Sequence, residues 1–298
     1  MANVAAVDIG TNSVRLLIAD ESGRELERPM QITRLGQGVD VTGRLSPEAI
    51  ARTSAVLRKY RDLAEKHGVT RLRATATSAA RDAANSGEFF DAAELALGVR
   101  PELLSGEQEA LLSFRGATAG LSADAGPFLI IDLGGGSTEL VIGATEPEAL
   151  VSLQLGCVRM TERHLKSDPP TAAELGACFS DVERELGKAS GIDRARARSV
   201  IGLAGTVTAL AAMLLGLTHY DATRTHHSTL TLAHVEASFQ QLSTATLAAR
   251  RGLLVEPARA EVIVGGAAVL LTLMRRFDIG ELLVSEHDIL DGLAASLL

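Results

Sequence analysis

Two short segments of this 298-residue chain carry the residue types that phosphate chemistry asks for. Residues 7–18 read VDIGTNSVRLLI, residues 131–142 read IDLGGGSTELVI, and the two align without a gap. Asp8 matches Asp132, Gly10 matches Gly134 and Ser13 matches Ser137. Each segment leaves an apolar strand, passes a small polar turn and enters another apolar strand, which is the pattern of a β-hairpin. Turns built from Gly10, Thr11, Asn12 and Ser13, and from Gly134, Gly135, Gly136, Ser137 and Thr138, let an anion approach backbone N–H groups unobstructed. A carboxylate beside phosphates is repelled unless a cation lies between them, so Asp8 and Asp132 are candidates to hold a hydrated Mg²⁺. One such turn alone would read equally well as a ligand-free hairpin. Two in register, both keeping Asp, Gly and Ser, favour a shared chemical task.

The copies differ at one charged position, where Arg15 matches Glu139. A charge just inside an apolar strand needs a partner. Arg15 could reach a phosphate oxygen, and Glu139 could bind metal or orient water; a salt-bridged strand residue is the plainer reading of each. Gly205 and Thr206 follow an apolar strand and open a helix, which offers a further anion site or simply a tight connection. Arg81 follows a small-residue strand end and precedes a helix, where a guanidinium could grip a phosphoryl group with two hydrogen bonds. The adjacent His226 and His227 cannot share a helix face and have no Cys or carboxylate cluster around them, so they read as structural rather than as zinc ligands.

These residues need a scaffold, and the repeat implies two halves of similar architecture, each opening with a hairpin. A third strand is expected over Glu25–Leu35. Ser46, Pro47 and Glu48 start a helix that Gly68 ends. A strand at Arg71–Thr77, a helix at Asp82–Leu97, a short strand at Glu102–Ser105 and a helix at Glu107–Gly116 complete the first half. The small, polar segment Leu121–Gly126 marks the boundary, which gives domains 1–121 and 127–298. The second half continues with a strand at Ala149–Leu155, a helix near Thr171–Gly187 and a strand at Ser199–Leu203 leading into a helix at Thr206–Leu217. Helices at Ala233–Thr244 and Ala258–Phe277 and a strand at Glu281–Val284 follow. The closing helix, from about Asp288, is a candidate to cross back onto the first lobe. Alternation of this kind indicates α/β layers.

Composition limits the partners. Aromatic residues make up 3% of the chain and Trp is absent, so platforms for stacking nucleic-acid bases are scarce. A net charge of −8 draws in no polyanion by itself, and any phosphate site must work through local N–H groups, arginines and metal. Cys157 and Cys178 are the only cysteines, so no disulfide framework exists and a reducing cytoplasm is the expected location. The segment Val200–Tyr220 approaches the length of a membrane span, but Gly202, Gly205, Thr206, Thr208 and Gly216 make it a strand, a turn and a buried helix. The start, MANVAAVDIG, reads as a strand rather than a signal peptide.

Taken in order, the motifs resemble the exopolyphosphatase and guanosine pentaphosphate phosphohydrolase family along essentially the whole chain. DIGTNSVRLLI and DLGGGSTEL are similar to its two phosphate motifs, and ATATSAARDAAN, SGEQEA, LGCVRMTE, GLAGTVTALAAM, RAEVIVGGAAVL and VSEHDILDG fall in the order of its other segments. The resemblance implies a two-lobed, actin-like α/β fold and release of a terminal phosphate by water. It places a catalytic carboxylate on SGEQEA, where Glu109, directly before Ala110, is favoured over Glu107, which suits a helix N-terminal acid. It also implies Mg²⁺ or Mn²⁺, with Asp132 and Glu139 central and Asp8 assisting. One departure is visible: family members often carry Arg-Glu before the glycine near the C-terminus, where this chain has Leu290-Asp291 before Gly292.

The expected activity is hydrolysis of inorganic polyphosphate to orthophosphate, with guanosine pentaphosphate as the alternative substrate. An actin-fold kinase and a nucleotide-binding regulator without turnover are the readings from other classes. The residues Glu109, Asp132 and Glu139 speak against the regulator. A nucleotide ligand and a homodimer stay open, and neither nucleic acid nor membrane is expected as a partner. Longer family members continue past the two lobes into a helical extension, whereas this sequence stops at Leu298, so the resemblance implies a preference for short chains.

Overall fold

The first repeat folds as the antiparallel pair β1 (Asn3–Ile9) and β2 (Ser13–Ala19), with Asp8 opposite Arg15 in the ladder. The structure is a computed structural model that describes residues 3–298. After β2 come β3 (Glu25–Glu27), β4 (Met30–Ile32), α1 (Val39–Thr42) and α2 (Pro47–Lys66). The expected single strand over Glu25–Leu35 is broken because Pro29 has no N–H for a ladder, and because Thr33 and Arg34 turn their N–H groups to the Asn12 carbonyl (3.0 and 2.9 Å). Ser46 caps α2 by accepting from Ala49 N–H (3.1 Å), with Pro47 in the first turn.

β5 (Val69–Ala76) lies parallel to β1 and is followed by α3 (Ser78–Asp82), α4 (Ser86–Leu97), β6 (Glu102–Leu103) and α5 (Gly106–Thr118). One helix was expected over Asp82–Leu97. The chain instead breaks near Ala83–Asn85, because the Asn85 side chain accepts from Leu45 N–H (2.9 Å) and donates to Leu45 O (3.0 Å). The sheet order is β3-β2-β1-β5-β6, with β4 also paired to β2.

The second repeat forms β7 (Phe128–Leu133) and β8 (Thr138–Gly143), followed by β9 (Pro147–Leu153), α6 (Cys157–His164), α7 (Ala172–Leu186), β10 (Ser199–Leu203) and α8 (Ala204–Leu214). The rest of this part comprises α9 (Ala222–Thr225), β11 (Thr229–Thr231), α10 (Leu232–Thr244), α11 (Leu247–Leu253), α12 (Ile263–Arg276) and β12 (Glu281–Val284). Its sheet order is β11-β12-β10-β7-β8-β9. Apart from β4 and β11, strand for strand this reproduces the first sheet: antiparallel hairpin neighbours on one side of the repeat's first strand, parallel strands on the other. The repeat seen in twelve residues therefore extends to the topology of each half. Mixed sheets with flanking helices agree with the α/β class that the resemblance implies.

The chain closes with α13 (Ile289–Ala295), and two compact units result. One takes the chain up to Gly116 together with Asp288–Leu298, and the other is Ala117–His287, so the division falls within α5. In the first unit, one face of the sheet packs Val7, Ile9, Val14 and Leu16 against Leu57, Tyr60 and Phe89. The opposite face packs Ala6 and Leu17 against Leu104, Leu112, Ile289, Leu290 and Leu293. The two-residue strand period then puts Asp8 and Arg15 on the face that α13 covers. In the second unit, Leu129, Ile131, Leu140 and Ile142 join the core with Val207, Leu210 and the apolar face of α12. Among the described residues no helix is long and apolar enough to cross a membrane.

Candidate active site

Each glycine loop is held by having its carbonyl groups taken from behind. In the second unit, the carbonyl of Gly134 accepts from Cys157 N–H (3.1 Å), and that of Gly135 from Val158 N–H (2.9 Å) and Arg159 N–H (3.2 Å). Arg159 Nε donates to Gly136 O (2.7 Å). The N–H groups of the first turn of α6, which would otherwise lack partners, are satisfied by the loop. Gly156 makes this approach possible, since a Cβ there would meet Gly135 O at 2.2 Å. In the first unit, Gly36 N–H donates to Thr11 O (2.8 Å), while Thr33 and Arg34 N–H converge on Asn12 O. A Cβ on Gly36 would meet the Thr11 methyl at 2.3 Å.

With the carbonyls turned to the protein, the N–H groups of Thr11, Asn12, Gly135 and Gly136 donate to no acceptor among the described residues. The side-chain amide of Asn12 is buried with both its oxygen and its nitrogen unpartnered, as is Asp8 Oδ1. Buried polar atoms without protein partners mark places where a ligand or ion belongs. The β1–β2 turn is closed by Gly10 N–H donating to Ser13 O (2.9 Å), and the β7–β8 turn by Gly134 N–H donating to Ser137 O (3.0 Å). The Thr138 hydroxyl is committed to Leu155 O (2.8 Å), just past the end of β9.

Around the first loop stand the other candidates of that unit. Thr11 Oγ1 accepts from Ala79 N–H (3.2 Å), which docks α3 on the loop. Two residues on, Arg81 Nη1 bonds Glu109 Oε2 (2.7 Å) and Leu104 O (2.9 Å). Glu109 is buried while Glu107 is exposed. Ser105 and Gln108 form a reciprocal capping box at the start of α5 (3.2 and 2.8 Å), which fixes the turn from which Glu109 projects.

Arg15 Nη2 bonds Asp8 Oδ2 (2.7 Å), and its Nη1 bonds Asp288, the N-cap of α13. Burial pushes the Asp8 carboxyl above its ordinary value, against the pull of Arg15 and with the help of Asp288. Asp291, part of the departure from the family pattern, completes the capping box of α13 and pairs with Arg28.

In the second unit, Asp132 and Glu139 face each other across the β7–β8 ladder, both buried. Ser152, opposite Glu139 on β9, donates to Glu139 Oε1 (2.7 Å). Like charges directly opposite on one sheet face are unfavourable. The arrangement thus suits a cation beside the two carboxylates. Among the described residues no group of three or more His, Cys, Asp or Glu side chains is arranged to hold a metal. Few carboxylates completed by phosphate oxygens and water is how Mg²⁺ is usually bound, so the donor set fits that ion.

Leu203 pairs with Asp132 in the parallel ladder, which brings the turn at Ala204–Thr206 beside the second loop. Ala204 has φ +68°, and the Arg259 guanidinium lies where a Gly205 side chain would stand, 1.9 Å from an added Cβ. Arg259 pairs with no carboxylate among the described residues and so adds a cation at this helix start. It lies in RAEVIVGG, but nothing in that segment's local spacing ties it to Gly205. His226 and His227 stack (3.7 Å between centroids), and His226 Nδ1 accepts from Glu286 N–H (3.2 Å).

The description "Ppx/GppA phosphatase family" matches residues 17–298. A relative from Mycobacterium tuberculosis named Exopolyphosphatase 2 is 46% identical, covering 100% of this chain and 99% of its own. The crystal structure of an exopolyphosphatase-like protein is 39% identical, covers 100% of both chains and superposes with a TM-score of 0.95. A Vibrio cholerae relative named guanosine-5'-triphosphate,3'-diphosphate pyrophosphatase is 34% identical over 61% of this chain and 37% of its own. The chain belongs to the Ppx/GppA phosphatase family.

Proposed function

We propose that this protein is an exopolyphosphatase, which hydrolyses the terminal phosphoanhydride of inorganic polyphosphate and releases orthophosphate. The observation that carries the reading is the matched pair of loops whose carbonyls are bound from behind and whose N–H groups are left for an anion. The 46% identity to a full-length relative named Exopolyphosphatase 2 supports polyphosphate as the substrate. The loops Gly10–Ser13 and Gly134–Ser137 bind phosphate oxygens through the N–H groups of Thr11, Asn12, Gly135 and Gly136, with Gly205, Thr206 and Arg259 adding N–H and guanidinium donors.

Glu109 takes the proton of the attacking water as its oxygen bonds to the terminal phosphorus, and the bridging P–O bond breaks. In this reading Arg81 holds Glu109 in place and stabilises charge that grows on the transferred phosphoryl group. Members of the family generally depend on a divalent metal. Asp132 and Glu139, assisted by Asp8, would hold Mg²⁺ or Mn²⁺, which neutralises charge on the phosphates when bound. Arg15 serves Asp8 and Asp288 in this reading and keeps Asp8 oriented.

Guanosine pentaphosphate is the second reading, supported by the 34% identity to the Vibrio cholerae relative. Free phosphate released from polyphosphate, guanosine pentaphosphate and ATP, each with Mg²⁺, tests both. The highest kcat/KM is expected with polyphosphate, and a clear preference for guanosine pentaphosphate would replace the first reading by the second.

A further inference from the structure

Three residues form a row across one face of the second sheet: Asp132 on β7, Glu139 on β8 and Ser152 on β9. Glu139 is almost completely buried, at 1% exposure, and Ser152 stands on the edge strand, half-buried. A serine at an exposed sheet edge can bond water and has no structural need of a protein acceptor. Ser152 instead gives its single proton to Glu139 Oε1 at 2.7 Å. From this geometry we propose that Ser152 is a positioning residue for Glu139, which fixes the carboxylate that carries the divalent cation. The proposal rests on Glu139 being a metal ligand in the reading above.

Glutamate has three rotatable bonds, and across the ladder it faces another carboxylate that repels it. Loss of the Ser152 hydroxyl removes a donor that fixes Glu139 beside Asp132, so the two acids would be less well arranged to share one cation. The hydroxyl favours the ionised carboxylate and selects one rotamer of it. The support behind the hydroxyl is rigid. Leu140 pairs with Val151 and Thr138 with Leu153 on either side, and Thr138 Oγ1 clamps Leu155 O (2.8 Å). Beyond the strand, Gln154 N–H is held by Glu185 Oε1 (3.2 Å). Partners of this kind, which touch a metal's ligands rather than the metal, typically change metal affinity or activity by about 10- to 100-fold when removed.

The test is Mn²⁺ binding to the full chain without phosphate, followed by water-proton relaxation, for wild type, Ser152→Ala, Ser152→Thr and Glu139→Gln, with melting curves for each. Ser152→Ala is expected to weaken Mn²⁺ binding by about 10- to 100-fold. The Mn²⁺ needed for half-maximal phosphate release should rise by the same factor, while KM for polyphosphate at saturating Mn²⁺ stays near wild type. Ser152→Thr, which keeps the hydroxyl, should return both to near wild type. Wild-type affinity in Ser152→Ala, or equal weakening in Ser152→Ala and Ser152→Thr, would overturn the assignment of Ser152. If Glu139→Gln loses Mn²⁺ while Ser152→Ala does not, only the serine's role falls. If Glu139→Gln binds Mn²⁺ like wild type, the metal role of Glu139 falls and the proposal with it.

Discussion

Asp132 is opposed across its hairpin by Glu139, whereas Asp8, at the same place in the other copy of the repeat, is opposed by Arg15 and ion-paired with it at 2.7 Å. The same backbone device thus carries a neutralised pair in one unit and two acids in the other. Two facing acids are the arrangement that a divalent cation would relieve, which is the basis of the metal role proposed for Asp132 and Glu139.

Mg²⁺ should therefore raise the melting temperature, and the increment should depend on pH. Burial raises the Asp8 carboxyl above its ordinary value of 3.8, so folding favours its protonated form. The stabilisation from that proton is present below 3.8 and is lost as pH rises through the raised folded value. Above it the ionised carboxylate carries a cost that a cation relieves. The Mg²⁺ increment should be larger above the raised folded value and shrink as pH falls through it. Melting curves with and without Mg²⁺ across pH check this; an increment independent of pH would remove Asp8 from the metal site.

Glu109→Gln should lower kcat by about 10²–10⁴-fold while leaving KM for polyphosphate little changed, because the amide cannot accept the water's proton. Arg81→Met should also lower kcat, since it releases Glu109 from its 2.7 Å bond. Steady-state phosphate release measures both, and near-normal turnover in Glu109→Gln would show that another group serves as base.

Gly156→Ala should raise KM and cost about 1–3 kcal/mol of stability, the usual range for overpacking. The added Cβ meets backbone at Gly135 O, 2.2 Å away, and backbone cannot rotate aside as a side chain would. Denaturant unfolding and KM for polyphosphate are the measurements. An unchanged KM would mean that the second loop does not contact substrate.

Much of this site was legible in the sequence because it is local. The Asp8 and Asp132 hairpins carry their period and turn residues within twelve positions, and Ser46-Pro47 and Thr171 announce α2 and α7. What was not legible depends on partners distant in the chain. Asn85 breaks an otherwise continuous helical pattern only because Leu45 offers it both backbone groups. LGCVRMTE gives no sign by itself that α6 turns its first N–H groups to the carbonyls of Gly134 and Gly135. Arg259 meets Gly205 only through tertiary packing. The expected Arg-Glu before Gly292 is replaced by a pair with its own work: Leu290 is fully buried and Asp291 binds Arg28.

The closing helix should be sensitive to Gly116 on α5. A Cβ there would lie 1.8 Å from Asp288 O, and Asp288 holds Arg15. Gly116→Ala should expose the amides of Ile289–Ala295 to hydrogen exchange and lower activity through the loss of Asp288 as a partner of Arg15. Unchanged protection in that helix would show that the approach of α13 to α5 is not required.

The most direct test of the account is hydrolysis of polyphosphate in ¹⁸O-labelled water with Mg²⁺ and no other acceptor present. The account predicts orthophosphate that carries one solvent oxygen, chains that shorten from their ends, and loss of both in Glu109→Gln. Absence of orthophosphate, or release that requires an added acceptor and leaves the product unlabelled, would contradict it.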